Sequence, residues 1–450
     1  MSDRDAARLV RWTGSCAALS ASDRKALFDR APSSDASIHE RSAEIITRVR
    51  RGGDDALRSL ASELDGVALD RLEVPRERWA AALELLAPAL RRAMERSTRN
   101  VRRVHEAFLP VAQEIESEPG VVVGRRPDPL GRVGVYAPGG RAAYASSVLM
   151  GVVPARVAGV GEIVVCSPPD RETGHPADVV LAAAALAGAD RVFALGGAGA
   201  IAALAYGTES VPRADRIVGP GNAYVAAAKL QVASTVAIDS PAGPSELLVI
   251  ADESADPRFV AREMLGQAEH DPLAAVVAVT TSRASAGAVL RAIAELLPGH
   301  PRADIAAAAL QAQGAVVWAE SAAAAVEFSN SYAPEHLLLV VSAPDELLGA
   351  VRNAGTVFVG ACASVVFGDY MTGANHVLPT GGLARSHSGL STLDFVRWTT
   401  YQRVSRRAAA GLAEDVAVFA DAERLGGHAL AARAWRDEVP MRTAVGEAIA

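Results

Sequence analysis

The stretch Arg191-Val-Phe-Ala-Leu-Gly-Gly-Ala-Gly-Ala-Ile-Ala202 places a short strand pattern before a glycine-rich turn and a helical pattern. Strand, turn and helix in this order form the repeating unit of a parallel sheet. The unit recurs on both sides, with predicted strands at 163–166 and 216–218 and predicted helices at 178–187, 200–206 and 223–232. This alternation predicts a mostly parallel sheet that is covered by helices on both faces.

A second alternating series follows the turn Asp239-Ser-Pro-Ala-Gly-Pro244. Its predicted strands and helices lie at 246–250, 257–270, 274–280, 284–297, 315–318 and 356–359. The residues before about 120 and after about 391 are instead rich in Arg, Ala and Glu at helical spacing. The chain is therefore predicted to be an α/β protein with two similar domains and small helical segments at both ends.

The composition limits the classes of partner and compartment. The 450 residues carry 45 Lys plus Arg against 52 Asp plus Glu, a net charge of -7, whereas nucleic-acid binders usually show a basic excess. No apolar run reaches the roughly 18 to 20 residues that a membrane span needs, and the charged N-terminus is unlike a secretory signal. Cys16, Cys166 and Cys362 lack the spacing of a zinc finger and fit a reducing compartment. We therefore expect a cytoplasmic protein that binds neither nucleic acid nor membrane.

The glycines Gly197 and Gly199 of the opening stretch match part of the pattern of a dinucleotide-binding turn. In such a turn, missing side chains let phosphates approach the N-terminus of a helix. The next strand ends in Gly219-Pro220, however, and not in the acidic residue that would hold a ribose hydroxyl. From the pattern alone, nucleotide binding and an ordinary tight turn both stay open.

Two pairs of polar residues stand where they can form a site. Gln267 and His270 lie late in a predicted helix, and their spacing of three puts them on one face, where they can hold a divalent ion or simply end the helix. Glu335 and His336 follow Pro334, which fixes a turn, and an apolar run anchors them from the other side. This pair is predicted either to face a pocket rim or to occupy an exposed turn.

Two further segments and one cysteine are weaker candidates for a functional site. Gly368–His376 is glycine-rich and polar, as either a site loop or a solvated loop would be. Asp421–His428 contains Glu and His on a terminal helix, where such residues mostly face water. Cys166 lies inside an apolar strand and is predicted to be a buried, inert thiol.

Taken together, these segments resemble the histidinol dehydrogenase family, zinc enzymes that perform the last two oxidations of histidine biosynthesis. The resemblance extends from roughly Gly120 to His428 and rests on five long strings: Gly219-Pro-Gly-Asn222, Asp239-Ser-Pro-Ala-Gly-Pro-Ser-Glu246, Gln267-Ala-Glu-His270, Tyr332-Ala-Pro-Glu-His336 and Asn375-His-Val-Leu-Pro-Thr380. Chance agreement in all five is negligible. The resemblance brings residues that are far apart in the chain into one known site.

The resemblance implies a role for each matching residue. The zinc ligands would be Gln267, His270, Asp369 and His428, and the substrate contacts would be these four with Ser245, His336 and Glu423. His336 would be the general base that takes the hydroxyl proton while hydride leaves to NAD, and Glu335 would activate the water that adds to the aldehyde. Tyr136 and Asn222 match cofactor contacts. Gly199 occupies the third cofactor position, where the family commonly has a glutamine, so an amide able to bond the dinucleotide is missing.

The resemblance also implies the architecture. We expect two similar incomplete Rossmann-like domains with parallel-rich sheets. Residues 36–136 and 245–390 would form the first domain, which carries most of the zinc and catalytic site, and residues 137–244 would form the second, on the nucleotide side. Residues 1–35 would be an N-terminal helical segment, and residues 391–450 a C-terminal helical appendage.

Members of the family are homodimers with intertwined terminal segments. Glu423 and His428 are therefore expected to complete the site of the partner subunit, where L-histidinol binds. This arrangement explains why a remote terminal helix carries site residues.

Four alternatives use the same residues differently. A paralogous zinc and NAD enzyme would act on another small polar alcohol, although the presence of both Glu423 and His428 favours the imidazole substrate. A zinc hydrolase would use Glu335 to activate water without a nucleotide, which Gly199 supports slightly. A non-catalytic binding protein would not require a base beside a water-activating carboxylate. Finally, Cys362 would replace the activated water if the aldehyde were oxidised through a covalent thiohemiacetal.

Overall fold

The computed structural model describes residues 6–30, 36–139 and 143–437. The chain divides into two compact units, the first formed by Met1–Leu109 and Pro129–Val396 and the second by Pro110–Asp128 and Arg397–Ala450. Among the described residues, no helix combines the length and the apolar character that crossing a membrane requires.

The strands are numbered along the chain. They are β1 (Trp12–Ser15), β2 (Gln113–Glu118), β3 (Val121–Pro129), β4 (Arg132–Tyr136), β5 (Glu162–Ser167), β6 (Arg191–Ala194), β7 (Arg216–Val218), β8 (Ala237–Ile238), β9 (Glu246–Ala251), β10 (Ala275–Thr280), β11 (Gly314–Trp318), β12 (His336–Val340), β13 (Thr356–Val359) and β14 (Val396–Val404).

The α-helices are numbered in the same way. They are α1 (Ala21–Phe28), α2 (Ala36–Leu60), α3 (Arg76–Glu84), α4 (Pro88–Ala107), α5 (Ala145–Val157), α6 (Asp178–Ala187), α7 (Gly197–Tyr206), α8 (Ala223–Val232), α9 (Pro257–Ala268), α10 (Arg283–Leu296), α11 (Ala303–Gln313), α12 (Ala322–Tyr332), α13 (Pro344–Leu348), α14 (Val365–Tyr370), α15 (Arg406–Ala422) and α16 (Gly426–Asp437).

Six parallel strands form the larger sheet of the first unit, in the order β1-β11-β10-β9-β12-β13. Every residue of the central strands β9 and β10 is buried, and all are apolar except Glu246 at the start of β9 and Thr280 at the end of β10, as expected where helices cover both faces. Helices α9 and α10 pack on one face through Met264 and Ile293, and α12 packs on the other through Tyr332. The predicted parallel α/β architecture is confirmed.

Five parallel strands form the second sheet of this unit, in the order β6-β5-β4-β7-β8. Helices α2, α3 and α4 bury Ile45, Trp79 and Val101 in the core of this sheet. Residues 36–136 are expected to form one domain with residues 245–390, whereas these three helices pack on the five-stranded sheet. The reason is that an amphipathic helix reveals which of its faces is buried but not which sheet will cover that face.

The second unit contains a three-stranded sheet, in the order β14-β3-β2, and the helices α15 and α16. The C-terminal segment 391–450 was predicted to be helical, but β14 takes up nine of its residues. None of these nine residues is buried, so the sequence contains no apolar run that would have predicted the strand. The N-terminal segment 1–35 likewise contains β1, which forms an edge of the six-stranded sheet.

Candidate active site

Two adjoining cavities lie in the first unit. The polar cavity has a volume of about 470 Å³, and its lining includes the predicted site residues Ser245, Gln267, His270, Glu335, His336 and Asp369. The larger cavity has a volume of about 820 Å³, and its lining includes Tyr136 and Asn222. Gly139 and Asn222 line both cavities, so a ligand in one can reach a ligand in the other.

The polar cavity lies at the amino ends of the neighbouring strands β9 and β12. Ser245 immediately precedes β9, and Glu335 immediately precedes β12, which begins with His336. The two strands are paired in register, with His336 opposite Leu247. Parallel sheets more often bind ligands at the carboxyl ends of their strands, so this site uses the less common edge.

A sharp turn delivers Glu335 and His336 to this edge. Helix α12 ends where Ala333 adopts a left-handed backbone conformation with φ 53°, and Pro334 follows. The carboxylate of Glu335 is buried, with 8% of the side chain exposed, and its Oε2 accepts a hydrogen bond of 2.7 Å from the backbone N–H of Glu246. The turn and this hydrogen bond therefore hold Glu335 in place at the start of β12.

The hydrogen bonds of His336 determine which ring nitrogen carries the proton. Nδ1 lies 2.9 Å from the backbone oxygen of Glu246, and because a carbonyl only accepts, Nδ1–H is the donor. In the neutral ring, Nε2 is therefore the basic atom. It is buried, has no hydrogen-bond partner within the described residues, and lies 3.7 Å from Oδ1 of Asp369. The ring stacks on Phe358 at a centroid distance of 6.0 Å. The arrangement suits a general base that awaits a proton.

Charged groups in the polar cavity shift the pKa values of His336 and Asp369. Burial alone would lower the pKa of His336, but the carboxylates of Glu335, whose Oε2 lies 3.3 Å from Nδ1, and of Asp369 raise it well above the ordinary value. Burial alone would raise the pKa of Asp369. Its hydrogen bond and charge interaction with His336, together with the nearby His376 and His270, lower this pKa instead. The cavity thus favours a charged Asp369.

Three donors in the polar cavity have the chemistry of zinc ligands. Gln267 is buried in the last turn of α9, His270 follows that helix, and Asp369 lies in α14. Amide oxygen, imidazole nitrogen and carboxylate oxygen all suit this ion. The described residues contain no group of three or more His, Cys, Asp or Glu side chains arranged to hold a metal.

The two remaining predicted substrate residues, Glu423 and His428, belong to the second unit. Glu423 follows α15 directly, and His428 lies in the first turn of α16. Both side chains are exposed.

In the larger cavity, two predicted cofactor residues are held by hydrogen bonds. Tyr136 ends β4, its hydroxyl accepts a hydrogen bond of 3.1 Å from the backbone N–H of Gly197, and burial raises its pKa to about 12. Asn222 caps α8, because its Oδ1 accepts hydrogen bonds of 3.1 Å from the backbone N–H groups of Tyr224 and Val225. Its amide NH₂ is thereby oriented as a donor group.

Gly199, the third predicted cofactor residue, does not line either cavity. It is buried in α7, and a Cβ at this position would lie 3.5 Å from Leu60 and 3.7 Å from Leu57. Gly199 therefore faces α2, while Gly196 and Gly197 line the larger cavity. The glycine pattern marks the turn correctly, but its last glycine belongs to helix packing.

The loop between the two cavities is held by the buried pair Lys229 and Asp239. Gly219 has φ +115°, and a Cβ there would lie 2.1 Å from the backbone oxygen of Tyr136, so only glycine fits. Its N–H donates to Oδ2 of Asp239 at 2.7 Å, and its carbonyl accepts from Nζ of Lys229 at 3.0 Å. Lys229 and Asp239 form an ion pair with side chains only 2% and 4% exposed. They clamp the start of the loop that ends in Asn222.

His376 is another lining residue to which the sequence analysis gave no role. Its Nδ1 lies 2.8 Å from the backbone oxygen of Asp369, and burial lowers its pKa. Two sequence signals include it, the polar segment Gly368–His376 and the string Asn375-His-Val-Leu-Pro-Thr380. His376 fixes the backbone that carries Asp369.

Several known proteins are similar to this chain over most of its length. The family model for histidinol dehydrogenase matches residues 28–436. A histidinol dehydrogenase of Halobacterium salinarum is 51% identical over 407 residues, which cover 90% of this chain and 95% of that protein. One from Methanothermobacter thermautotrophicus is 46% identical over 387 residues, which cover 86% and 91%. The crystal structure of histidinol dehydrogenase from Elizabethkingia anophelis has a TM-score of 0.90 at 34% identity and covers 95% of this chain and 98% of that one. The chain therefore belongs to the histidinol dehydrogenase family of NAD-dependent oxidoreductases.

Proposed function

We propose that this protein oxidises L-histidinol to L-histidine through L-histidinal, using two molecules of NAD and a bound zinc ion. The observation that supports this most strongly is the pairing of Glu335 and His336 in a buried polar cavity that adjoins the cavity of Tyr136 and Asn222. A base, a second carboxylate and room for a dinucleotide are what two successive hydride transfers require. The three cysteines are unpaired, which supports a reducing compartment such as the cytoplasm.

The two catalytic residues divide the two oxidations. In the first, Nε2 of His336 takes the hydroxyl proton while the carbon-bound hydrogen leaves as hydride to NAD⁺, which yields the aldehyde and NADH. In the second, Glu335 takes a proton from the water that adds to the aldehyde. The resulting hydrate anion then loses a second hydride to another NAD⁺ and its remaining hydroxyl proton to solvent, which yields the carboxylate and a second NADH.

Gln267, His270 and Asp369 would hold zinc together with His428, a mixed nitrogen and oxygen set that this ion accepts. When bound, zinc supplies a template that orients the imidazole and amino nitrogens of the substrate. Ser245 and Glu423 would provide further substrate contacts. In this division of labour, the protein's own residues carry out the proton transfers.

The proposal is tested by NADH formation combined with metal analysis of the purified protein. We expect two NADH per L-histidinol, about one zinc per subunit, and loss of activity on chelation that added zinc restores. Turnover of another amino- or sulfo-alcohol, with none of L-histidinol, would identify a paralogous enzyme. Substrate consumption without an absorbance rise from NADH would indicate a hydrolase.

We further propose that two copies share each site. The second unit exposes Phe419, Leu430 and Trp435 to 70%, 71% and 47%, and large exposed apolar groups on a single segment are typical of an interface. Glu423 and His428 lie on the same segment. A second copy would bury this apolar surface and receive these two polar side chains into its own site.

Subunit complementation tests the shared site. His336→Ala and His428→Ala proteins should each be nearly inactive, but after joint unfolding and refolding the mixture should regain about one quarter of the wild-type activity. The reason is that half of the randomly formed dimers are mixed, and each mixed dimer contains one intact site. Activity is measured as NADH formation from L-histidinol, with each variant refolded alone as the control. If both residues came from the same chain, the mixture would stay inactive.

The clamp on the inter-cavity loop gives a prediction for cofactor affinity. Lys229→Met should raise the KM for NAD about tenfold, the effect of misplacing roughly one good hydrogen bond. It should also destabilise the fold by about 3–5 kcal/mol, because Asp239 is left buried without its partner. The matched control is Lys25→Met, which changes the chain's only other lysine, an exposed one. An unchanged KM for NAD in a folded Lys229→Met protein would contradict this role.

A further inference from the structure

A buried ion pair lies directly behind the polar cavity. Arg30, from the N-terminal segment, pairs with Glu246, the first residue of β9, and their side chains are 3% and 1% exposed. Neither residue is in the lining of the polar cavity. Arg30 also donates to the backbone oxygen of Tyr332 and stacks over the ring of this tyrosine at 3.4 Å.

Glu246 touches both proposed catalytic residues. Its backbone N–H donates to Glu335 at 2.7 Å, and its backbone oxygen accepts from Nδ1 of His336 at 2.9 Å. Its side chain accepts from the backbone N–H of Glu335 at 3.3 Å through Oε2 and from that of Gly381 at 2.6 Å through Oε1. One residue thus fixes the carboxylate, the imidazole and the backbone of the catalytic pair.

Arg30 and Glu246 together tie two segments to the start of β9. The first runs from the end of α12 at Tyr332 to the turn that carries Glu335, and the second is the turn at Gly381, which follows the cavity residue Thr380. Two charges taken out of water seldom stabilise a fold more than apolar side chains of the same volume would. The charged pair instead fixes the orientation of the groups that it binds, because each of its hydrogen bonds has a defined geometry.

We propose that the Arg30–Glu246 pair is a positioning device for the reaction: it sets the orientation of Glu335 and His336 without touching the substrate. This inference rests on the proposed function, in which Glu335 and His336 perform the proton transfers. A displacement of about 1 Å in a catalytic group can lower the rate on the order of 10²-fold. The ion pair should therefore matter more to kcat than to stability.

The test replaces both charges at once, as Arg30→Met/Glu246→Met. We expect the double variant to fold, with a denaturation midpoint closer to wild type than that of Glu246→Met alone, which leaves a buried unpaired arginine. Its kcat with L-histidinol should fall about 10- to 10²-fold. The KM for NAD should stay within a factor of two, since the larger cavity is untouched. The control is Arg191→Met/Glu73→Met, which removes another ion pair of this unit and should leave kcat unchanged.

Arg30→Lys provides a second measurement should the double variant not fold. Lysine keeps the charge but cannot form the fork that spans Glu246 and Tyr332, so kcat should fall about three- to tenfold in a stable protein. A wild-type kcat in the folded double variant, or in Arg30→Lys, overturns the inference. An inactive wild-type protein would instead refute the proposed function, so the two failures are distinguishable.

Discussion

Replacing His336 by alanine is expected to lower the rate of NADH formation from L-histidinol by about 10²- to 10⁴-fold. The reason is geometric. Nδ1 already donates a hydrogen bond to the Glu246 carbonyl, so Nε2 is the nitrogen that can accept a proton, and it has no hydrogen-bond partner among the described residues. The pH dependence should change as well. Because Glu335 and Asp369 raise the pKa of His336, wild-type activity should rise with pH as this ring loses its proton. The His336→Ala variant should lack this ascending limb of the pH–activity profile.

The control for this change is His387→Ala. His387 lies in the same unit, has an exposed side chain and does not line the polar cavity. We expect wild-type kcat and an unchanged pH profile from this variant. If His336→Ala retained more than about a tenth of the wild-type kcat, or kept the ascending limb, another group would have to take the hydroxyl proton.

Much of the fold follows from local patterns in the sequence. Apolar strand runs alternating with helices predicted both parallel sheets, since a strand buried on two faces needs little beyond continuous hydrophobicity. The edge strand β1 and the exposed strand β14 were missed because their sequences lack such a run. The sheet on which helices α2 to α4 pack cannot be read from their sequence, because the choice between two apolar surfaces depends on tertiary packing.

The candidate site was predictable where a motif carries its own chemistry. Glu335, His336, Gln267, His270 and Asp369 were found from residue type and resemblance, and they line one cavity. The Arg30–Glu246 pair was not found, since its members are 216 positions apart and Glu246 opens an ordinary apolar strand. Gly199 shows the opposite case, a glycine that fits a binding pattern but serves the contact with α2.

Glu335→Gln is expected to separate the two oxidations. With L-histidinal as substrate, NADH formation should fall by about 10²- to 10⁴-fold, because an amide cannot take the proton of the attacking water. With L-histidinol, the first NADH should still form in a single turnover. Glutamine has almost the same shape and can keep the hydrogen bond from the Glu246 N–H, so His336 stays in place. Losing the carboxylate also lowers the pKa of His336, which leaves more of this base unprotonated near neutral pH.

Two further variants decide how the aldehyde is oxidised. Glu327→Gln is the matched control, because Glu327 is an exposed glutamate on α12 and its change should leave both half-reactions intact. Cys362→Ala distinguishes activated water from a covalent thiohemiacetal. Cys362 is exposed and is absent from the lining of the polar cavity, so its loss should be nearly silent. If Cys362→Ala abolished histidinal oxidation while Glu335→Gln spared it, the aldehyde would be attacked by sulfur, and Glu335 would have no part in activating water.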